Sequence, residues 1–249
     1  MHCRQMGRDM PHAEFRSNDD RRSAIYDAPS YRAGEAAHLL KLSNSTVRAW
    51  CFGQGYRYRG APRTFHAVIK PVDPTGRLLS FSNLCELHIL GSITRGHRVP
   101  LQRVRRALDF VRKQTRSARP LLDEDFRTNG LDLFLSYDEH LVNVSGGGQL
   151  ALRDEFERAL DRIERGAGGA PVRLFPYTRK VAHTTGLPSV VAIDPKIAFG
   201  RPIVAGAGVR TDVINDRFGA GDSPAEMAED YGVSEENILE ALRYERIAA

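Results

Sequence analysis

From Tyr31 the apolar positions fall at helical spacing: Ala36, Ala37, Leu39 and Leu40 share one face of a short helix that also carries Glu35, and Leu42 with Ser43 makes a turn. Ser43 is placed to cap the next helix by accepting bonds from its first backbone N–H groups. Residues 44–50 continue that helix, with Val47 and Trp50 inward and Asn44, Ser45 and Arg48 outward. Two helices joined this way have helix-turn-helix spacing, which an ordinary helical hairpin shares. After Gly53 and Gly55, Tyr56, Arg57, Tyr58 and Arg59 alternate aromatic and cationic side chains, as a wing laid along a phosphate backbone requires. FHAVIKPVDPTGRLLSF then predicts two short strands about a turn of Asp73, Pro74, Thr75 and Gly76. A helix is expected from about Ser82, carrying Leu84, Leu87, His88 and Gly91, and another after Pro100. On the second, Leu101, Val104, Leu108 and Val111 form a stripe surrounded by Arg103, Arg105, Arg106, Arg112 and Lys113.

Further along, LDLFLSYDEHLVNV alternates and predicts a hairpin about Asp138 and Glu139, followed by three glycines and a helix over 150–165 with Leu152, Phe156, Leu160 and Ile163 on one side. That stripe suits packing on the hairpin or on a second subunit. GAGGAP, at 166–171, marks a flexible boundary. Beyond it, residues 190–193 predict a strand, Asp194 and Pro195 a turn, and Ile203 with Val204 a short apolar piece. Three helices complete the chain: one capped by Thr211 or Asp212 and ended by Gly219, Ala220 and Gly221, one capped by Asp222 or Ser223 with Pro224 at its first position, and one capped by Ser234. Residues 1–30 have neither periodicity nor many aliphatics, so they read as a mobile arm.

Charge changes this picture, because it is unevenly divided. Residues 1–30 are balanced, residues 31–119 carry +13, residues 120–193 carry −3 and residues 194–249 carry −5, within a chain of 249 residues and net charge +5. One end seeks polyanions and the other avoids them. From 222 to 246 there are eight acids (Asp222, Glu226, Glu229, Asp230, Glu235, Glu236, Glu240, Glu245) and two bases (Arg243, Arg246). Helices of that net charge repel a nucleic-acid backbone carrying one charge per roughly 1.7 Å. A protein with a basic groove is the better ligand for them, and an acidic solvated face is the simpler alternative.

Catalytic and cofactor motifs are sparse. Cys3, Cys51 and Cys85 form no C-x-x-C pair, and the eight histidines give neither H-x-x-x-H nor H-E-x-x-H, so no disulfide framework, metal or cofactor is expected and a reduced cytosol fits. There is no apolar run of membrane-spanning length, so no membrane partner is expected. SGGGQL lacks the lysine of a phosphate loop and reads as a plain connection. Asp132, Asp138, Glu139 and His140 are adjacent charges around a turn, to which we assign no chemistry, and no enzyme activity is expected.

Two resemblances bear on function. YRAGEAAHLLKLSNSTVRAW, with LLSFSNLCELHIL and VPLQRVRRALDFV, resembles the DNA-binding domain of MerR-type regulators over roughly residues 31–115. The resemblance implies that Ser43, Asn44, Ser45, Thr46 and Arg48 enter the major groove while Arg57, Tyr58 and Arg59 grip phosphate. The segment from about Val190 to Glu245 is similar to a small antitoxin family with the pattern I-D-P-x-I-x-x-G-x-P-x-I/V-x-G followed by G-x-S/T-x-E-x-x-A/L-x-D-Y. The matching residues are Ile193, Asp194, Pro195, Ile197, Gly200, Pro202, Val204 and Gly206, then Gly221, Ser223, Glu226, Ala228, Asp230 and Tyr231. That family, long catalogued as a domain of unknown function, is paired with PIN-type ribonuclease toxins, so the whole resembles an unconventional VapB-type antitoxin.

The expected fold is therefore α+β and mainly helical: a flexible arm (1–30), a MerR-like winged helix-turn-helix domain (31–119), a β-hairpin and helix connector suited to dimerisation (120–170), and a homeodomain-like three-helix bundle of antitoxin type (171–249). Operator DNA, a VapC-like PIN-domain toxin and a second copy are the implied partners, in the cytoplasm. Toxin contacts are sought at Arg201, Arg210, Glu226, Glu229, Asp230, Glu235 and Glu236. The alternative is a MerR-like transcription regulator without a toxin partner.

Overall fold

A computed structural model describes residues 24–97, 100–123, 126, 129–137, 147–178 and 188–246. A two-residue strand, β1 (Tyr31–Arg32), runs into α1 (Ala33–Leu40), which turns through Lys41 and Leu42 into α2 (Asn44–Phe52). Lys41 takes the left-handed conformation at φ 54°, and its backbone N–H closes α1 on His38 while that of Leu42 bonds Ala37. The hairpin β2 (Gln54–Tyr58) and β3 (Ala61–Phe65) follows, turned by Arg59 and Gly60, both at positive φ as a tight right-twisted hairpin demands. β4 (Leu78–Leu79), α3 (Phe81–His97) and α4 (Leu101–Thr115) complete the first half.

From residue 81 to 93 every residue of α3 is buried, so over this stretch the helix has no solvent face and each polar side chain there needs an internal partner. Asn83 is the hub: its Oδ1 accepts from the backbone N–H groups of Val72 (3.0 Å) and Ser80 (3.1 Å), and its Nδ2 donates to Lys70 O (2.9 Å) and to Glu86 Oε2 (3.0 Å). The Glu86 carboxyl, pushed by burial up to about 7 against the pull of Arg119, Asn83 and Arg112, sits among α3's apolar residues.

The second half comprises α5 (Asn129–Ser136), α6 (Gly147–Asp161), β5 (Ile163–Arg165), β6 (Pro171–Leu174), β7 (Val191–Ile193), β8 (Pro202–Val204), α7 (Thr211–Ala220), α8 (Pro224–Tyr231) and α9 (Glu235–Arg246). β5 to β8 form an antiparallel sheet in sequence order, and α6 packs along α3. One core runs from Tyr26 through α1, α3, α4 and α6 to Leu174 and Ile193. A smaller one holds Val204, Ile214, Met227, Ile238, Ala241 and Leu242. The chain is thus mixed helix and sheet, mainly helical, as expected, but several expectations need correction.

The turn at Asp73 is present, with Asp73 Oδ1 accepting from Gly76 N at 2.8 Å and one antiparallel bridge, Asp73 with Leu78, closing it, yet the pairing goes no further along the two expected strands. β4 pairs with β1 instead, while Val68 and Ile69 donate their backbone N–H groups to Trp50 O at the end of α2. The first strand of the expected middle hairpin is the helix α5: Leu131, Phe134 and Leu135 lie at i, i+3 and i+4 and are buried together, a spacing that serves a helix as well as LDLFL serves a strand. Asp138, Glu139 and His140 lie outside the described residues. The helix expected over 150–165 spans Gly147–Asp161, and its last residues are β5. Residues 166–171, expected as a flexible boundary, hold a hydrogen-bonded turn: Gly166 N donates to Ala170 O (2.9 Å) and Gly169 N to Gly166 O (2.9 Å), joining β5 to β6. The stripe of Leu152, Phe156, Leu160 and Ile163 is used inside the chain, with Phe156 against Phe126 and Phe134 at ring distances of 5.7 and 5.1 Å. The end of the arm is docked as well, since Tyr26 is buried against Phe81 and Asp27 pairs with Arg119 at 2.7 Å.

A carboxyl raised in the folded state holds its proton over a pH range in which the unfolded chain, with Glu near about 4.3, has released it. Stability therefore falls as pH rises from there to about 7 and carries the full cost above it. Glu86→Gln keeps an oxygen for Asn83 and removes the titration. Urea unfolding from pH 4 to 8 is expected to show the variant gaining on the wild type as pH rises, and a constant difference would contradict the buried ionisation.

Candidate nucleic-acid interface and carboxyl-terminal surface

Ser43 stands in the extended N-cap position of α2 and accepts from Thr46 N at 3.1 Å, as its sequence context implied. Its hydroxyl also meets Ser45 Oγ (3.0 Å) and Thr46 Oγ1 (2.7 Å), so three hydroxyls cluster at the amino end of the helix. Val47 and Trp50 are buried beneath α2, while Ser43, Asn44, Ser45 and Arg48 are exposed and Thr46 is half-buried. The helix-turn-helix is thus built, with its polar face to solvent.

The β2–β3 register sets Tyr56 opposite Arg63 and Arg57 opposite Pro62, so the two arginines project from opposite faces of an exposed hairpin. Arg59 forms its turn, and the Tyr58 side chain lies outside the described residues. Among the described residues Arg48, Arg57 and Arg63 form no ion pair with a carboxylate, unlike Arg112, Arg119, Arg153 and Arg173 elsewhere. Sequence reasoning missed Arg63, and also a groove of about 200 Å³ between β3 and α4 lined by Thr64, His66, Gln102, Arg105 and Arg106. The hairpin register, which puts Arg63 across from Tyr56, reveals the first, and the groove exists only where β3 and α4 come together.

In the carboxyl-terminal block the motif residues are mostly scaffold. Asp194, buried at the end of β7, accepts from Lys196 N (2.9 Å) and from Arg173 (3.1 Å). Ser223 and Glu226 form a reciprocal capping box, which holds the Glu226 carboxyl below the usual range, and Pro224 takes the first position of α8. Gly221 at φ 113° closes α7, which starts at Thr211 with Arg210 in the cap position and no side-chain cap, in place of the Thr211 or Asp212 cap expected. Arg217 bonds Asp222 and Asp230, and its guanidinium lies 5.2 Å from the centre of the Tyr231 ring. Arg210 is held by Asp212, and Arg201, half exposed, stands 3.7 Å from Glu35 of α1. Glu240 is buried against Thr178 and Arg243, and Glu245 accepts from Thr211. Of the candidate acids Glu229, Glu235 and Glu236 are exposed and form no ion pair among the described residues, Glu235 and Glu236 lying in the first turn of α9, where negative charge suits the helix dipole.

The turn between β7 and β8 is strained. Ala198, Phe199 and Gly200 all have positive φ (49°, 56° and 74°), a conformation that costs a non-glycine residue about 1–3 kcal/mol. Gly200 also lies where Tyr31 Oη donates to its carbonyl at 3.2 Å, and a Cβ on it would fall 2.0 Å from that oxygen. The turn leaves Phe199 97% exposed. Beside this contact Tyr244 Oη donates to Leu39 O at 2.8 Å, and the Lys41 ammonium, its proton affinity lowered by burial, lies 4.1 Å above the Tyr244 ring. α9 and the β7–β8 turn therefore both lock onto the first helix-turn-helix segment.

Residues 29–108 match a family model described as "Putative DNA-binding HTH domain", and residues 191–244 match one described as "Protein of unknown function (DUF433)". The chain is 27% identical over 235 residues to the "Putative antitoxin VapB45" of Mycobacterium tuberculosis (strain ATCC 25618 / H37Rv), spanning 87% of this chain and 94% of that protein. The crystal structure of Rv2018 from Mycobacterium tuberculosis shares the fold, with a TM-score of 0.63 at 22% identity over 88% of this chain and 99% of that one. The chain thus carries a helix-turn-helix domain. Among the described residues no helix is long and apolar enough to cross a membrane.

Gly200→Ala is expected to cost about 2–4 kcal/mol, combining left-handed strain with the clash on Tyr31. Gly206→Ala, at φ 90° with open space around its Cβ, is expected to cost about 1 kcal/mol from strain alone. Thermal or urea unfolding ranks the pair, and equal costs would mean that Tyr31 does not brace the turn.

Proposed function

We propose that the protein is a DNA-binding antitoxin that represses its own operon and neutralises a VapC-like PIN-domain ribonuclease by direct contact. The exposed, unpaired Arg48 and Arg57 beside the polar face of α2 carry the DNA half of this reading. A cation opposite each phosphate releases counterions and supplies affinity that falls with salt. In this reading α2 enters the major groove in MerR-like fashion, with Ser43, Asn44, Ser45, Thr46 and Arg48 at base edges and backbone, while β2–β3 is a wing that lays Arg57, Tyr58 and Arg59 along phosphate. A homodimer supplies two half-sites. The antitoxin half is supported by the relative along 87% of the chain that bears that name.

The homeodomain-like helices α7 to α9, acidic throughout, face the toxin rather than DNA, with Arg201, Arg210, Glu226, Glu229, Asp230, Glu235 and Glu236 as the contact set. Glu226 and Asp230 act within it chiefly by shaping α8 and holding Arg217, so Glu229, Glu235 and Glu236 are the acids available to a basic partner. The protein is a regulator without catalytic residues of its own in this reading.

Binding to a duplex spanning its own promoter, titrated across salt concentrations, tests the DNA half. Arg57→Ala is expected to lower the salt slope by about 1, and Arg48→Ala to weaken binding by about 1–3 kcal/mol while relaxing sequence preference. Undiminished binding in both variants removes the amino-terminal assignment. Copurification with the product of the adjacent reading frame tests the toxin half; a chain that binds the promoter and remains partnerless is a MerR-like regulator alone.

A further inference from the structure

We infer that the groove between β3 and α4 receives the sugar-phosphate backbone of the bound duplex, which makes α4 a third contact element beside α2 and the hairpin. The inference rests on the DNA-binding reading above and adds residues and a stretch of footprint that the reading does not contain. The groove, of about 200 Å³, is lined by Thr64, Phe65 and His66 on the strand side and by Gln102, Arg105 and Arg106 on the helix side. Thr64, His66, Gln102 and Arg106 are exposed, and Arg105 is half-buried.

The charge of the two walls selects an anion. Neither residues 54–70 nor residues 98–108 contain an acid, and together they hold eight lysines and arginines. Arg106 forms no ion pair with a carboxylate among the described residues. Arg105 stands 3.7 Å from Asp109, the only acid of α4, but that carboxylate is already met at 2.9 Å by Arg112, so one negative charge faces two positive ones. The helix adds its own polarity. Gln102 lies in the first turn of α4, which contains no acid, and Pro100 in the cap position supplies no side-chain bond, so the positive end of the helix dipole is not offset from within. Guanidinium, amide and hydroxyl groups on facing walls are the donors that a phosphodiester accepts from.

Placement identifies that anion as the duplex. Val68 N and Ile69 N, just past β3, donate to Trp50 O in α2 at 2.7 and 3.0 Å, and Arg112 of α4 donates to Val68 O at 2.9 Å. The helix offered to the major groove, the base of the hairpin and α4 are therefore tied together at one point. In the β2–β3 register Arg57 is opposite Pro62 and Gly55 is opposite Thr64, so Arg57 and Thr64 stand on the same face of the hairpin. The groove thus continues the face that carries the proposed phosphate contact. A backbone gripped at Arg57 runs on toward α4, where Arg106 meets it.

The test uses the full-length chain and a duplex spanning its own promoter, titrated across salt concentrations. Arg106→Ala is expected to lower the salt slope by about 1 and the affinity by about tenfold, with sequence preference unchanged. Gln102→Glu sets a carboxylate in the first helical turn, where it suits the dipole and keeps the fold, yet it is expected to weaken binding by about tenfold. Hydroxyl-radical footprinting is expected to show a protected backbone stretch that Arg106→Ala loses and Arg48→Ala, at saturating protein, retains. Both groove variants binding with the affinity and slope of the wild type overturns the groove and leaves the DNA-binding reading standing. A wild-type chain that does not bind the duplex overturns both. Variants that keep their DNA affinity but no longer copurify with the product of the adjacent reading frame overturn the duplex as occupant in favour of a protein.

Discussion

The structure depends on a stretch of helix with no solvent face. From Phe81 to Ile93 α3 is enclosed by α1, α6, the short strands and the turn at Pro120–Leu122, so its polar side chains must all be met from within. Asn83 does most of this, tying the loop at Lys70 and Val72 to the start of the helix, while Ser82 reaches Tyr26 O and Ser92 reaches Ile89 O. The buried Glu86 is the residual cost, a carboxyl more comfortable protonated than charged. Because the helix-turn-helix on one flank and the α5–α6 segment on another share this pillar, they form one core rather than two linked modules.

That sharing explains which features were legible in the chain. The α1–α2 pair, the Ser43 cap, the α4 stripe and the capping box of α8 all depend on residues within a few positions of one another, and local spacing encodes them directly. The β1–β4 pairing joins Tyr31 to Leu79, and no local signal announces a strand of two residues. The α5 segment failed for a different reason: LDLFLS offers alternation and i, i+3, i+4 spacing at once, and packing against α4 decides for helix. Gly166 to Ala170 has linker composition but turn geometry, since a glycine-rich run serves a tight hairpin as readily as a hinge. Of the exposed cations proposed for contact, Arg48 and Arg57 were expected from the sequence, whereas Arg63 required the hairpin register.

The acidic helices read differently once their partners are known. Asp222 and Asp230 hold Arg217, Glu226 completes a cap, Glu240 meets Thr178 and Arg243, and Glu245 meets Thr211. Most of the negative charge thus stabilises the bundle itself, and the exposed acids that form no ion pair among the described residues narrow to Asp216, Glu229, Glu235 and Glu236. Charge counted along a sequence measures the field at a distance; what a surface offers at contact is the remainder after internal pairing.

The two ends of the chain meet at α1. Tyr31 precedes it and donates to Gly200, Glu35 on it stands near Arg201, Leu39 accepts from Tyr244, and Lys41 at its end lies over the Tyr244 ring. α1 supports α2, the helix whose outer face carries Arg48, so the carboxyl-terminal block bears on α2 through α1. Any displacement of the β7–β8 turn or of α9 by a bound protein must then be accommodated by α1 or resisted by it. The buried Lys41 ammonium has no hydrogen-bond partner, so the Tyr244 ring face is what α9 offers it, while the Tyr244 hydroxyl spends its own bond on Leu39 O.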